Sequence, residues 1–393
     1  MKIALIGKPS VGKSTFFKAA TLAEVKIASY PFTTLKSSEG VGYVRIECLE
    51  KEFNTKCNPQ KGFCINGQRF VPVKLVDIPG LVEGSHRGLG MGNEFLSDVM
   101  QADAFIHIVD VSGETDIEGK PSKDHDPSKD IEFLEEELDM WYYNIFIKAW
   151  KSFARKTEME KGKFSEAVAK QFSGLKVTED QVKEALRKLG LDEKPTLWKD
   201  SDLKEFASIL RKISKPMIIA ANKIDLLNSK KNYEKLLKEF PDLMIVPCSA
   251  DSELALRQAV KSDLIDYIPG NKSFIILKDL EDKQKSALDK IKNSVLDVFD
   301  GTGVQMVLNF AVFELLKYIA VFPAGASKLA DSKGNILPDC FLLPPGSTAL
   351  DFAYFLHTDF GKNFIKAIDA RSKKALGKAY ELKHRDALEI VTR

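Results

Sequence analysis

The stretch Gly7-Lys8-Pro9-Ser10-Val11-Gly12-Lys13-Ser14-Thr15 follows the apolar run Ile3-Ala4-Leu5-Ile6 and opens a helical pattern over residues 15–23. Strand, G-x-x-x-x-G-K-[ST] loop and helix in that order make a phosphate-binding loop. Glycines let successive backbone N–H groups turn inward around phosphate oxygens, and the helix presents its positive N-terminal end to them. Lys13 is placed to reach the β- and γ-phosphates, and the Ser14 hydroxyl to ligate Mg²⁺. Residues 7–15 are therefore the expected triphosphate cradle. A loop of this kind at the end of a buried strand also predicts an α/β architecture, the doubly wound sheet of the P-loop NTPases.

Working outward, the apolar run 73–76 ends in Asp77-Ile78-Pro79-Gly80. An Asp at the carboxyl end of a neighbouring strand suits an outer-sphere Mg²⁺ contact. The Gly80 amide can meet the γ-phosphate, and glycine permits the backbone flip that a switch needs. The run 216–221 delivers Asn222-Lys223-Ile224-Asp225. A carboxylate there accepts from guanine N1–H and N2–H₂, whereas against adenine it would be left unpaired. Residues 245–247 lead into Cys248-Ser249-Ala250, which brings a backbone N–H of Ser249 or Ala250 towards guanine O6. Between the first two islands lies Tyr30-Pro31-Phe32-Thr33-Thr34. A threonine in a mobile stretch there can close on Mg²⁺ and the γ-phosphate, and Thr34 is favoured over Thr33. The order of these islands describes a guanine-nucleotide domain. Ser14, Thr34 and Asp77 surround its metal, and Lys13, Thr34 and Gly80 its γ-phosphate.

The 393 residues carry 58 Lys+Arg against 56 Asp+Glu, and 44% of them are hydrophobic. That supports two or three cored domains and excludes an obligate polyanion binder. Five cysteines are too few for a disulfide framework and point to a reducing compartment. Met1-Lys2 runs into the first strand with no secretory pattern. The longest apolar stretch, 304–322, is interrupted by Gln305, Asn309, Glu314 and Lys317, which predicts a buried helix rather than a membrane span. A cytoplasmic protein without membrane contact is expected.

These motifs resemble those of the translation-factor-related GTPases of the Obg family, close to its YchF-type branch. The likeness rests on residues 7–15 and 30–34, on Asp77-Ile78-Pro79-Gly80-Leu81-Val82-Glu83-Gly84, and on Gly88-Leu89-Gly90-Met91-Gly92-Asn93-Glu94-Phe95-Leu96. His357-Thr358-Asp359-Phe360-Gly361-Lys362-Asn363-Phe364-Ile365 is similar to the signature of the TGS domain, a ubiquitin-like β-grasp module. The resemblance implies GTP as substrate, GDP as product, Mg²⁺ as cofactor, and a ribosome or RNA partner met through the TGS domain and the helical insertion. Two departures stand out. The YchF-type branch has usually lost Asn-Lys-x-Asp and is associated with ATP; this chain keeps the motif at 222–225, so GTP is carried over, with an ATP-hydrolysing YchF-like NTPase as the alternative. Obg-like phosphate loops commonly carry Asn where this chain has Ser10. In potassium-stimulated relatives that Asn helps hold the cation, which leaves potassium activation open.

The expected layout is a GTPase domain at 1–125 and 216–270, a helical insertion at 126–215, a helical connector at 271–318 and a TGS domain at 319–393. In the insertion, Ile131, Leu134, Leu138, Trp141, Ile145 and Ala149 recur at three-to-four spacing, the mark of a buried helical face. In the tail, the short apolar runs 319–322, 340–343, 364–368, 380–382 and 388–391 surround one helix, 349–356, capped by Ser347 or Thr348. Lys and Arg outnumber Asp and Glu by eleven to six over 148–188 and by nine to four over 361–393, a charge balance that fits RNA. Cys48, Cys57 and Cys64 lie in a stretch inserted before Asp77, and Asn58-Pro59 and Lys61-Gly62 suggest a hairpin tip there. The tight C-x₂₋₄-C pairs of a structural zinc are absent, so unpaired or optionally oxidised thiols are expected.

Ras-like enzymes orient the attacking water with a glutamine after the Asp-x-x-Gly glycine; this chain has Leu81. An apolar side chain cannot align a water, so the role falls elsewhere or to a partner, with His86 and Arg87 as local candidates. Slow intrinsic turnover follows, or at the extreme a nucleotide-gated scaffold with negligible hydrolysis. The rival from another class, a P-loop metabolic kinase, has no use for Asn222–Asp225.

Overall fold

The structure, a computed structural model, describes residues 1–21, 39–80, 99–160, 162–325, 327–331 and 333–393. Thr33, Thr34, Leu81, His86, Arg87 and the glycine-rich run 88–96 lie outside the described residues. The chain proceeds through β1 (Lys2–Ile6), α1 (Lys13–Thr21), β2 (Glu39–Glu47), β3 (Phe63–Ile65), β4 (Gln68–Asp77) and β5 (Ala104–Asp110). Four helices follow: α2 (Ser128–Met159), α3 (Phe164–Gln171), α4 (Glu179–Leu189) and α5 (Asp200–Ser214). Next come β6 (Met217–Asn222), α6 (Ser229–Glu239), β7 (Ile245–Pro247), α7 (Ala250–Lys261), β8 (Ile265–Asp266), β9 (Ile275–Ile276), α8 (Asp282–Ile291) and α9 (Val304–Asn309). The chain ends in β10 (Ile319–Pro323), β11 (Phe341–Leu343), α10 (Ala349–Leu356), α11 (Thr358–Lys362), β12 (Phe364–Asp369), β13 (Ala375–Leu376) and β14 (Ala387–Thr392). Among the described residues, Met1–Ala19 and Lys74–Val307 form one compact unit together with 39–40, and Val41–Val73 and Leu308–Arg393 form another.

In the first unit β4, β1, β5, β6 and β7 pair in parallel in that order. Ile3 to Ile6 are fully buried, as is every residue of β5 and β6. Strands of a parallel sheet are covered on both faces, which is why they read as unbroken apolar runs. The sequence moves from β1 to β4 on one side and to β5 on the other, so the carboxyl end of β1 is a topological switch point, where α/β sheets take their ligands. Register brings Leu5 opposite Asp77 and Asp110 opposite Asn222, setting the motif residues along one edge.

Between β5 and β6 the chain is mostly helical. Ile131, Leu134, Leu138 and Trp141 are buried as expected, but Ile145 and Ala149 are only partly so. The buried stripe continues instead through Tyr142, Phe146, Trp150 and Ala154. Each four-residue step advances about 40° around a helix of 3.6 residues per turn. The stripe therefore winds as α2 leaves the sheet residues Ala4 and Phe105 for the aromatic cluster of Phe164, Phe172, Trp198 and Phe206. Phe146 and Phe172 lie 4.0 Å apart between ring centroids, and Trp198 and Phe206 5.0 Å. Beyond the sheet, α8 and α9 are separated by Asp300 at φ 63° and Gly303 at φ 84°. A Cβ on Gly303 would lie 1.9 Å from the Pro247 carbonyl oxygen, so only glycine fits. The helical span 282–315 is long and apolar enough by composition to cross a membrane, yet it is broken at this turn, and Val304, Val307, Leu308, Ala311 and Val312 are fully buried.

In the second unit five strands pair in the order β11-β10-β14-β12-β13, with β10 and β14 parallel at the centre. Phe352 of α10 packs on this sheet with Val321, Leu343 and Leu388. Thr348 caps α10 in a reciprocal box: its hydroxyl accepts from the Asp351 N–H at 3.2 Å, and the Asp351 carboxylate accepts from the Thr348 N–H at 2.8 Å. The run 380–382 makes only an isolated bridge, Glu381 with Thr348, and the fifth strand is the two-residue β13. The expected hairpin tip at 58–62 lies elsewhere. β3 and β4 turn at Asn66-Gly67, both at positive φ (50° and 79°), as a two-residue hairpin turn of the primed type demands. Residues 58–60 instead hydrogen-bond along 336–338: Asn58 N–H donates to Ile336 O at 2.8 Å and Gln60 N–H to Pro338 O at 2.7 Å. Those bonds explain why Val41–Val73, expected within the GTPase domain at 1–125, clusters with the C-terminal strands.

Candidate functional site

The loop after β1 is shaped by three positive φ angles, 147° at Gly7, 63° at Ser10 and 93° at Gly12. A Cβ on Gly7 would meet the Ile108 carbonyl oxygen at 2.5 Å, and one on Gly12 the Asn222 Nδ2 at 2.5 Å. Lys13 opens α1 and folds back over the loop, its Nζ donating to the carbonyls of Gly7 (3.0 Å) and Lys8 (2.6 Å). Burial lowers its pKa from 10.5 to about 8, against the opposing pull of the Asp77 charge. A buried ammonium satisfied only by neutral carbonyls suits a polyanion. The Ser14 hydroxyl donates to Asp77 Oδ2 at 3.0 Å, and burial raises the Asp77 carboxyl despite help from Ser14 and Lys13. A hydroxyl and a half-buried carboxylate side by side are the hard oxygen donors that Mg²⁺ takes, so the residues present fit the ion. Gly80 sits tight against the loop: a Cβ there would lie 2.9 Å from Pro9 N.

At the other end, the Asn222 side chain braces two elements. Its Nδ2 donates to Val11 O at 2.8 Å, and its Oδ1 accepts from the Ala250 N–H at 3.0 Å. Lys223, at φ 62°, turns away and pairs with Asp110 at 2.7 Å. Asp225 is half-buried at the mouth of this corner. Burial pushes the Cys248 thiol well up, and the charges of Glu253 and Asp225 add to it; the Ile224 N–H, next to Asp225, donates to Cys248 O at 3.1 Å and ties this loop to the Cys248-Ser249-Ala250 turn. The Ser249 N–H is taken by Thr302 O at 2.8 Å and the Ala250 N–H by Asn222. Both amides expected to approach guanine O6 are thus already engaged, and the turn serves to hold Asn222 in place.

The described residues bring together Gly7 to Thr15, Asp77, Gly80, Asn222, Lys223, Asp225, Ser249 and Ala250; Thr34 lies outside them. The structure also gives the motif residues partners that no motif announced. Lys8, almost fully buried, pairs with Asp130 at 2.8 Å and donates to Thr115 O at 2.8 Å, while His125 meets Asp130 at 2.8 Å. A Cβ on Gly119 would strike Pro9, so the loop after β5 lies against the phosphate loop. Burial would raise Asp110, but hydrogen bonds from Lys223, Ser112 and Thr115 hold its carboxyl below the usual range. Lys8 stands more than 100 residues from Thr115 and Asp130, as Lys223 does from Asp110, so these pairs carry no local signature.

His107 on β5, opposite Ile6, is buried with its Nδ1 lacking a partner among the described residues. Burial, with the charges of Lys13 and Lys8, lowers its pKa from 6.5 to about 3. Because the folded value lies below the unfolded one, the unfolded chain takes the proton first, and stability falls as pH drops from about 6.5 towards 3. The slope approaches about 1.4 kcal/mol per pH unit at most. Urea midpoints measured from pH 7 to pH 4 should therefore fall more steeply in the wild type than in His107→Leu; parallel curves would show that His107 is not held neutral.

Three domain families match in succession. Residues 2–142 match the family described as "50S ribosome-binding GTPase", 220–325 the "Obg-like GTPase YGR210-like, G4 motif-containing domain", and 326–392 the "TGS domain". GTP-binding protein MJ1332 of Methanocaldococcus jannaschii is 47% identical over 391 residues, covering 99% of this chain and 98% of its own. The crystal structure of a GTP binding protein from Pyrococcus horikoshii OT3 superposes with a TM-score of 0.81 at 42% identity, covering 100% of both chains. The ribosome-binding ATPase YchF of Buchnera aphidicola is 26% identical over 375 residues, with 93% and 87% of the two chains covered.

Proposed function

Since the chain belongs to the Obg-like GTPases, with a P-loop GTPase domain and a C-terminal TGS domain, we propose that it is a Mg²⁺-dependent GTPase working as a slow molecular switch on the ribosome or an RNA. The amides of residues 7–15 would hold the triphosphate, Lys13 would bridge its β- and γ-phosphates, and Gly80 would meet the γ-phosphate. Ser14 and Thr34 would ligate Mg²⁺, with Asp77 behind them. When bound, the ion neutralises charge on the phosphate oxygens. Asp225 would read guanine, held in register by Asn222, Lys223, Ser249 and Ala250.

One observation carries the choice of base. Asn222 links Val11 in the phosphate loop to Ala250, and Ile224, next to Asp225, bonds to Cys248 two residues before Ala250, so the segments that would grip the triphosphate and read the base are tied together. ATP is the second candidate, because the Buchnera relative is named an ATPase. The intact Asn222-Lys223-x-Asp225 speaks against it, since an unpaired carboxylate rejects adenine. The ribosome or RNA partner rests on that relative's name and on the TGS domain, with the basic helical insertion as a further contact. Potassium activation stays open at Ser10, and a cytoplasmic location accords with the motifs.

Leu81 at the glutamine position implies that turnover is slow until a partner helps. Single-turnover hydrolysis of GTP by the purified protein with Mg²⁺ should proceed at about 10⁻⁴–10⁻³ s⁻¹, the unassisted range of Ras. A rate above about 1 s⁻¹ would refute the need for a partner, and no hydrolysis with or without ribosomes would favour the scaffold.

A further inference from the structure

The second unit holds a group of side chains with no part in nucleotide binding. The three sulfurs of Cys48, Cys57 and Cys64 and a carboxylate oxygen of Glu50 all lie within 4.8 Å of one another. Cys48 is buried and the other three are half-buried. The local fold holds each of them from a different direction. Cys48, next after β2, donates its N–H to Gly67 O at 2.8 Å; Cys57 donates its N–H to Glu50 Oε2 at 3.1 Å; and Cys64 on β3 stands opposite Arg69 on β4. None of the three cysteines is in a disulfide.

We propose that Cys48, Cys57, Cys64 and Glu50 bind one Zn²⁺ ion as a tetrahedral, three-thiolate, one-carboxylate structural site. A zinc ion with Zn–S of about 2.3 Å separates its sulfurs by about 3.8 Å, so inward shifts of no more than about 1 Å complete the shell. Three soft thiolates select zinc over Mg²⁺ or Ca²⁺, four protein donors close the shell to water, and three cysteines fall short of the four that an iron–sulfur cluster takes. The sequence concealed the site because its spacing, C-x₈-C-x₆-C, lacks tight pairs. The loop 49–56 and the β3–β4 hairpin close those gaps in space, and a carboxylate supplies the fourth corner.

The surroundings suit such an ion. Three thiolates and a carboxylate around Zn²⁺ leave a net charge of −2, which calls for a nearby cation. Arg69, opposite Cys64 in the β3–β4 hairpin, is fully buried, its Nη1 donating to Leu337 O at 3.1 Å and its Nη2 to Pro338 O at 2.9 Å. Its Nε has no partner among the described residues.

The test is metal analysis of the full chain expressed with added zinc and dialysed against metal-free buffer. One zinc per chain is expected, released by an organomercurial as the thiols are blocked. Exchange for Co²⁺ should give thiolate-to-cobalt charge-transfer absorption. Cys48→Ser, Cys57→Ser and Cys64→Ser should each cut bound zinc to below about a tenth, and Glu50→Gln should weaken zinc at least about tenfold against a chelator. Cys340→Ala, outside the group, should keep its zinc. If the serine variants do not fold, the wild-type result stands by itself. Zinc-free wild type whose thiols all alkylate freely, or a Cys57–Cys64 disulfide formed by dissolved dioxygen during purification in air, overturns the site. Wild-type zinc affinity in Cys57→Ser, or loss of zinc in Cys340→Ala, overturns the ligand set.

Discussion

Gly12→Val should weaken GTP binding by at least about a thousandfold while the C-terminal unit stays folded. Gly12 has a φ of 93°, and a Cβ there would lie 2.5 Å from Asn222 Nδ2. Valine, branched at Cβ, can neither adopt that φ without strain nor fit beside Asn222. Two things fail together. The loop amides cease to converge on the phosphates, and the Asn222 brace to Val11 and Ala250 is forced apart. Hydrogen bonds to charged groups are worth about 1.5–3 kcal/mol each, so losing two costs about 4 kcal/mol, or about three decades of Kd. Isothermal titration with GTP checks this. A Kd within about tenfold of wild type would mean that the loop tolerates a side chain and that Asn222 is not its brace.

Asp225→Asn should exchange the preferred base. In the proposed function the carboxylate accepts from both N1–H and N2–H₂ of guanine; an amide offers one acceptor and one donor, which complement the N1–H and 2-oxo group of xanthine. GTP should lose roughly two to three decades of affinity and xanthosine triphosphate should gain a similar factor, because a site built for a polar contact penalises the ligand that leaves it unpaired. Competition against a fluorescent guanine nucleotide gives both constants in one assay. An unchanged ratio of GTP to xanthosine triphosphate affinity would place base recognition on other residues.

How far the sequence announced these features depended on how local their causes are. A parallel strand buried on both faces is a contiguous apolar run, so β1 and β6 and the loops at their ends could be read directly, as could α10 from the Ser347-Thr348 pair before it. The stripe on α2 was legible only as far as Trp141, because beyond it burial depends on what the helix meets, and no spacing records the aromatic cluster around Phe146 and Trp150. The support behind the site was hidden for the same reason. Lys8 with Asp130 and Lys223 with Asp110 join residues more than 100 positions apart, and neither aspartate belongs to a motif in its own segment. Ser249 and Ala250 sit where the motif puts them, but their amides proved to be occupied, a detail decided by Thr302 and Asn222 rather than by the motif. The cysteine group is the strongest case. Its donors converge only because 58–60 runs along 336–338 and because the hairpin turns at Asn66-Gly67.

At the centre of the account is a single rigid corner in which Asp225 selects guanine while residues 7–15 grip the triphosphate. The most direct test is equilibrium titration of the nucleotide-free wild-type protein with GTP and with ATP, both with Mg²⁺, under identical conditions. GTP should bind at least about a hundredfold more tightly, the margin that leaving the half-buried Asp225 carboxylate unpaired imposes on adenine. Equal dissociation constants for the two nucleotides would contradict it.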